Sequence, residues 1–119
     1  MKNYFFFFAA CIFSLPVSAQ LIVQSGATLY LSGNVLITLQ DIDLIHNGTI
    51  TVAVNGRFSF TGSVNSNISG SQQPAFNEME IAKTRTNKIL LQRPIDKNGK
   101  IVFTSGLIDL NNNNINLGN

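Results

Sequence analysis

Residues 47–60 read NGTITVAVNGRFSF, and this stretch decides the fold that the sequence predicts. Each Asn-Gly step is followed by a short run of alternating apolar and polar residues, over 49–52 and again over 57–60. Glycine accepts a positive φ without steric cost and asparagine tolerates one, so each step is expected to turn the chain. Side chains two apart on a strand share one face, so Phe58 and Phe60 are predicted to enter one core.

The same module, a Ser-Gly or Asn-Gly step before a β-branched run, recurs on both sides of this stretch. Residues 20–119 show no convincing helical periodicity, and residues 76–81 alternate so that Met79 and Ile81 face inward while Glu78 and Glu80 face outward. The flanking steps are Ser25-Gly26, Ser32-Gly33, Asn98-Gly99 and Ser105-Gly106.

Two all-β architectures follow from this repetition. Steps only seven residues apart suit the frequent turns of stacked coils, which favours a short right-handed parallel β-solenoid, or β-helix. Asn-Gly between alternating runs is also the strongest short signal for a hairpin, so an antiparallel β-sandwich or barrel is the alternative.

The N terminus has the order of a secretory signal peptide. Lys2 precedes an apolar run over 4–15 that contains four consecutive phenylalanines, and Pro16 ends the run. Small residues follow at positions 17–19, so cleavage is predicted between Ala19 and Gln20. The run is shorter than the about 20 apolar residues that span a bilayer. The chain is therefore expected to divide into a signal peptide, 1–19, and a β-rich repeat region, 20–119. We expect the repeat region to have no membrane span and to be secreted or held at the cell surface.

Composition excludes several kinds of site from the exported region. The only cysteine, Cys11, lies in the signal peptide, so disulfides and cysteine metal sites are not expected. Cleavage of the signal peptide also removes one of the eight basic residues. Seven basic and six acidic residues then remain, and this nearly neutral charge gives no reason to expect binding to nucleic acid. No phosphate-binding loop or cofactor motif occurs, so we expect no cofactor and no metal.

Paired carboxylates are the best candidates for chemistry. Asp41 and Asp43 lie two apart, as do Glu78 and Glu80, so each pair is expected to share a strand face. Such pairs can raise a pKa for acid–base work, but simple alternation on a solvent face explains them equally well. The only histidine, His46, stands beside a predicted turn and is expected to be a surface residue without a catalytic role.

Basic residues gather late in the sequence, and Lys83, Arg85 and Lys88 are the candidates for a binding surface. They could contact an acidic polysaccharide or the acidic surface of a cell-surface partner. Few aromatic residues lie among them, which argues against stacking on nucleic-acid bases.

From about residue 38 to 117 the sequence resembles the N-terminal part of large, repetitive bacterial surface proteins exported by type IX secretion. The residues that carry the resemblance are 39–49, 58–62, 67–70, Phe76-Asn77 with Ile81 and Lys83, and 104–110. The resemblance implies a β-repeat surface protein with many further repeats and a C-terminal sorting domain. Residues 104–119 form strand, turn and strand without a polar cap, which also predicts that the chain is truncated at its C terminus.

Three functions are compatible with these observations. The first is a non-enzymatic, adhesin-like or structural β-repeat protein that acts through an extended surface. The second is an extracellular module that binds or cleaves carbohydrate through Asp41, Asp43, Glu78 or Glu80. The third is a free-standing small secreted binding domain.

Overall fold

The computed structural model describes residues 19–118, and within this range the chain forms twelve β-strands and no helix. No helix there is long and apolar enough to cross a membrane. The strands are β1 (Ala19–Val23), β2 (Thr28–Leu31), β3 (Leu36–Gln40), β4 (Ile42–His46), β5 (Thr49–Val52), β6 (Arg57–Gly62), β7 (Ser66–Ser69), β8 (Ala75–Lys83), β9 (Lys88–Leu91), β10 (Ile95–Ser105), β11 (Leu107–Asp109) and β12 (Ile115–Asn116).

All pairings between these strands are parallel, and each strand pairs with a strand one coil away. The orders are β1-β4-β7-β9-β11 in the first sheet, β3-β6-β8-β10-β12 in the second and β2-β5 in the third. Leu36 pairs with Arg57 and Arg57 with Glu78, a spacing of 21 residues per coil in the second sheet. The chain is a parallel β-solenoid of about five turns, as predicted.

The antiparallel alternative is wrong, because all strand pairings in the described region are parallel. Asn47-Gly48 and Asn55-Gly56 are corners of a coil and do not reverse the chain. β4 and β5 flank Asn47-Gly48 but belong to different sheets. Parallel neighbours need a connection of a dozen or more residues, and here the rest of the coil provides it. Asn98-Gly99 is not a turn at all, because it lies within β10 where the register shifts against β8. Gly99 is required at this bulge, since a Cβ there would clash with the carbonyl oxygen of Asn77.

The core consists of columns of inward side chains that run along the solenoid. Phe60 and Ile81 are paired in register and are both 0% exposed, and Met79 below Phe58 is also fully buried, as the alternation predicts. Phe76 packs edge-on against Phe58 and Phe60, with ring centroids 5.2 and 6.2 Å away. The strands therefore stabilise one another mainly by stacking apolar residues between coils.

One corner has a left-handed backbone conformation in four successive coils. Between the second and the first sheet, φ is 56° at Asp41, 104° at Gly62, 55° at Arg85 and 87° at Gly106. Asp41 is thus a corner residue, and the prediction that it shares a strand face with Asp43 is wrong. Gly62 must lack a side chain because a Cβ would clash with the Asp41 carboxylate above it.

We expect Phe60→Ala to lower the free energy of unfolding by about 3–5 kcal/mol, because it empties the centre of the stacked core. Tyr30→Ala is the matched control, since Tyr30 is 68% exposed and should change stability by less than about 1 kcal/mol. Urea unfolding followed by circular dichroism measures both values. Equal losses in the two variants would contradict the stacked core.

Candidate functional site

Polar side chains at or near the corners bind the backbone of the next coil. Side-chain oxygens of one coil accept hydrogen bonds from backbone N–H groups 23–24 residues later, and we call these contacts the inter-coil caps. Each of these bonds joins a side chain of one coil to the backbone of the next coil, and the bond from Asp43 to Asn67 is partly buried. The caps are Asp41 to Val64 at 3.0 Å, Asp43 to Asn67 at 2.8 Å, Asn47 to Ser71 at 2.8 Å and Asn65 to Lys88 at 2.9 Å.

Asparagine amide groups add a second set of bonds between coils. The side-chain N–H groups of Asn77 donate to the carbonyl oxygens of Val52 and Ala53 at 3.0 and 2.8 Å. Asn113 donates in the same way to the carbonyl oxygen of Leu91 at 2.8 Å. The abundance of asparagine in this sequence therefore has a structural cause, because its amide both donates and accepts at corners.

Glu78 is held between two cations on the outer face of the second sheet. Its carboxylate lies 3.5 Å from Arg57 Nη1 in the coil above and 3.4 Å from Lys100 Nζ in the coil below. This column of alternating charge stabilises the stacking of three coils, although each pair is partly exposed and contributes little by itself.

Glu80 occupies the neighbouring column and accepts two hydrogen bonds. Ser59 Oγ donates at 2.9 Å and Thr104 Oγ1 at 3.0 Å. These bonds hold the pKa of Glu80 below its usual value. A general acid at neutral pH needs the opposite shift. Glu78 and Glu80 do face outward as predicted, but both are engaged in contacts between coils.

The three basic candidates do not form one surface. Lys83 is 0% exposed and so cannot reach a surface partner, which makes its assignment to a binding surface wrong. Arg85 is exposed at its corner, while Lys88 forms an ion pair with Asp109 at 2.6 Å. Lys83 points inward because it continues the inward alternation of Met79 and Ile81 along β8, and that alternation was visible in the sequence.

Buried Lys83 has two oxygen partners from different coils. Its Nζ donates to Ser66 Oγ at 2.7 Å and lies 3.4 Å from Asp41 Oδ1. Ser66 is fully buried, whereas the Asp41 side chain is 30% exposed. The hydrogen bond from the Val64 backbone, with help from Lys83, lowers the pKa of Asp41. Lys83 thus links the corners of two neighbouring coils from inside the solenoid.

His46 is also buried, which makes the prediction of a surface histidine wrong. It is 4% exposed at the end of β4, where it pairs in register with Val23 and lies two residues after inward Leu44. Among the described residues neither ring nitrogen has a hydrogen-bond partner. Burial lowers the pKa of His46, because the charged ring would be poorly solvated there.

Two shallow clefts interrupt the surface of the described region. One, of about 160 Å³, spans the first three coils and is lined by Asn34, Leu36, Asn55, Arg57 and Glu78 with Val35. The other, of about 220 Å³, is apolar and is formed by residues 21–24 and 27–29 of the first coil. Among residues 19–118, no three or more histidine, cysteine or acidic side chains are grouped so that they could hold a metal ion.

Comparison with known proteins gives no relative: no family model, no curated protein and no solved structure matches this chain.

The unfolding free energy should fall as the pH is lowered from 7.5 to 5. In the unfolded protein His46 takes up a proton near its ordinary pKa of 6.5. In the folded protein the pKa of His46 is lower, so the residue stays neutral over more of this pH range. The unfolded state therefore binds more protons in this window, with a slope of at most about 1.4 kcal/mol per pH unit.

His46→Leu should remove this slope and leave the loss of stability below about pH 4.5, where the carboxylates become protonated. Denaturant titrations at several pH values measure both profiles. An unchanged slope in His46→Leu would contradict the assignment to His46.

Asp41→Asn should destabilise the protein more than Lys83→Met. Asparagine keeps the left-handed corner and the Val64 hydrogen bond but leaves a buried ammonium without its counter-charge, at a cost of about 3 kcal/mol. Lys83→Met leaves an Asp41 that water can solvate and removes the partner of the buried Ser66 hydroxyl, so the loss should be about 1–2 kcal/mol.

The double variant should regain much of the stability that Asp41→Asn loses. Chemical unfolding of the wild type, the two single variants and the double variant at pH 7 completes a double-mutant cycle and measures the coupling between the two residues. An equal or larger loss in Lys83→Met than in Asp41→Asn would show that the unpaired ammonium is not the main cause of the instability.

Proposed function

We propose that this chain is a non-enzymatic, exported β-repeat protein of the cell surface or extracellular matrix, adhesin-like in that it acts through an extended surface. The observation that carries the proposal is that the candidate catalytic carboxylates are engaged in contacts between coils. The carboxylates of Asp41, Asp43, Glu78 and Glu80 all bind neighbouring coils. The two clefts described above are shallow, and enzymes usually act in a pocket that encloses the substrate.

Export is the second part of the proposal. Residues 1–18 of the signal peptide predicted over 1–19 lie outside the described residues, and its predicted last residue, Ala19, begins β1. The described region contains no cysteine and is held together by stacked side chains and hydrogen bonds. It therefore needs no disulfide bond to fold after export. The sequence resemblance to type IX-secreted repetitive surface proteins supports the same location.

An extracellular carbohydrate-binding or carbohydrate-cleaving module is the second candidate, and the polar cleft favours its binding form. Asn34 and Asn55 lie at equivalent corners of successive coils, beside the Arg57–Glu78 pair and half-exposed Leu36. Amides, a guanidinium and a carboxylate offer donors and acceptors to sugar hydroxyls, and an apolar side chain can pack on a sugar ring. Of the basic candidates, exposed Arg85 and partly exposed Lys88 remain available to an acidic polysaccharide or other cell-surface partner.

The test compares the wild-type protein with Glu78→Gln/Glu80→Gln after expression of the full chain in a bacterium that exports it. The two substitutions remove the outer-face carboxylates and leave Asp41 and Asp43 in place. For a structural or adhesin-like protein, we expect peptides from residues 20–119 in surface and supernatant fractions, and surface attachment within about twofold of wild type. Neither protein should release reducing sugar from a panel of extracellular polysaccharides.

Release of sugar by the wild type and its loss in the variant would instead establish the cleaving module. Arg57→Ala distinguishes a carbohydrate-binding module from a structural protein. It should reduce retention on polysaccharide tenfold or more only if the polar cleft binds sugar. Retention of the whole protein in the cytoplasm would overturn the proposal of an exported protein.

A further inference from the structure

The fourth coil, residues 84–106, carries an excess of positive charge. It contains five lysines and arginines and one aspartate, a net charge of +4, whereas residues 19–83 contain two lysines and arginines and four acidic residues. Like charges gathered in one coil repel one another wherever they lie within about 8 Å, the Debye length at physiological salt. The stacked core does not require these charges, so the fold does not explain why they are gathered in one coil.

Three of these cations lie along one side of the solenoid, and we call them the β9 row. Arg85 lies at the corner before β9, Lys88 is the first residue of β9, and Arg93 lies at the corner after it. Arg85 is exposed, and Lys88 and Arg93 are partly exposed. At about 3.3 Å per residue the row extends over at most about 26 Å, across the direction in which the coils stack. Because β9 pairs on both edges, with β7 and β11, the row does not lie at an end of the solenoid.

The two arginines of the β9 row have no acidic partner. Among residues 19–118 no carboxylate lies within ion-pair distance of Arg85 or Arg93. Lys88 differs, because its Nζ lies 2.6 Å from Asp109 Oδ2. A guanidinium group can bind a carboxylate through two parallel hydrogen bonds, so the arginines are the members of the row best suited to hold an anionic ligand.

Arg85 also occupies a backbone position that favours glycine. Its φ is 55°, and at the same corner the preceding and following coils have Gly62 and Gly106, with φ of 104° and 87°. Asp41, with φ of 56° at this corner, accepts a hydrogen bond from the next coil, which an arginine side chain cannot do. A strained residue that the local structure does not need is typical of a functional site.

We propose that the β9 row binds an acidic polysaccharide, with Arg85 and Arg93 holding two of its carboxylates and Lys88 lying between them. The inference rests on the proposed function, an adhesin-like surface protein, and names its partner. A polysaccharide of this kind carries a carboxylate on every sugar or every second sugar, so one extended chain can reach both arginines.

A nucleic acid fits the β9 row less well. Residues 84–98 contain no aromatic side chain on which a base could stack. Duplex DNA carries one charge per about 1.7 Å of its axis, and proteins that bind it tightly neutralise many phosphates at once. Three widely spaced cations, one of them already paired with Asp109, match a polymer of lower charge density.

The test measures binding of the full chain, exported and purified, to immobilised alginate, a polymer of uronic acids. Dextran is the neutral control polysaccharide, and duplex DNA is the alternative polyanion. We expect the wild type to bind alginate at about 50 mM salt, to be released at about 500 mM salt, and not to bind dextran, because salt screens exposed charges. Binding to DNA should be at least tenfold weaker than binding to alginate.

Two double variants remove the same charge from different sides of the fourth coil. Arg85→Gln/Arg93→Gln removes both arginines of the row, and the matched control, Lys97→Gln/Lys100→Gln, removes two lysines of β10 in the second sheet. The first should weaken alginate binding about tenfold or more, and the second by less than about twofold. Circular dichroism with urea unfolding checks that each variant folds.

Two single variants separate binding from folding. Arg85→Gly should weaken alginate binding about threefold or more without lowering the urea midpoint, because glycine suits a positive φ. Asp109→Asn should strengthen binding about threefold or more, since it releases Lys88 and removes a negative charge beside the row. Asparagine keeps an oxygen for the Asn111 N–H that Asp109 now binds at 3.0 Å.

Several results would overturn the β9 row as a polysaccharide site. They are a wild type that does not bind alginate or binds dextran equally well, equal losses in the two double variants, and Asp109→Asn binding no tighter than wild type. Tighter binding to DNA than to alginate would assign the row to nucleic acid instead. Failure on alginate by a protein that still reaches the cell surface would overturn this inference alone, whereas retention in the cytoplasm would overturn the proposed function.

Discussion

Parallel hydrogen bonding between strands one coil apart is the constraint on which the rest of this structure depends. Each strand leaves half of its backbone groups to be satisfied by the next coil, so coils must repeat at nearly constant length. The spacing is 21 residues from β2 to β5 and 23 from β1 to β4. This near-constant spacing brings chemically related side chains into columns, and the columns give the molecule both its core and its polar contacts.

The polar columns explain why this sequence is rich in short hydrogen-bonding side chains and poor in charges. At or near several corners, a carboxylate or amide oxygen of one coil accepts a hydrogen bond from a backbone amide of the next coil, as Asp43 does from Asn67. Groups that resemble catalytic carboxylates in the sequence are thereby fixed in place. The hydrogen bonds that lower the pKa of Glu80 also fix its side chain, so position and ionisation have one cause.

Lys83 and His46 show two ways of burying a polar group in such a stack. Lys83 lies among oxygens, with Ser66 and Asp41 within hydrogen-bonding or ion-pair distance. His46 has no such partners among the described residues, and burial therefore favours its neutral form. The first arrangement fastens neighbouring corners to each other, and the second makes the stability of the solenoid sensitive to mild acid.

Local pattern was enough to predict an all-β solenoid, with Phe58, Phe60, Met79 and Ile81 inward and Glu78 and Glu80 outward, because alternation and glycine corners act over a few residues. What stacks on each residue could not be predicted, because partners lie 19–24 residues away and the coil length varies. Pattern therefore failed at Asp41, whose left-handed corner breaks the alternation, and at Lys83 and His46, whose charge or polarity suggested the surface. By itself the sequence determined the coil and its core. Only the tertiary structure decided which polar groups are buried between coils, because burial depends on the neighbouring coil and not on the residue's own type.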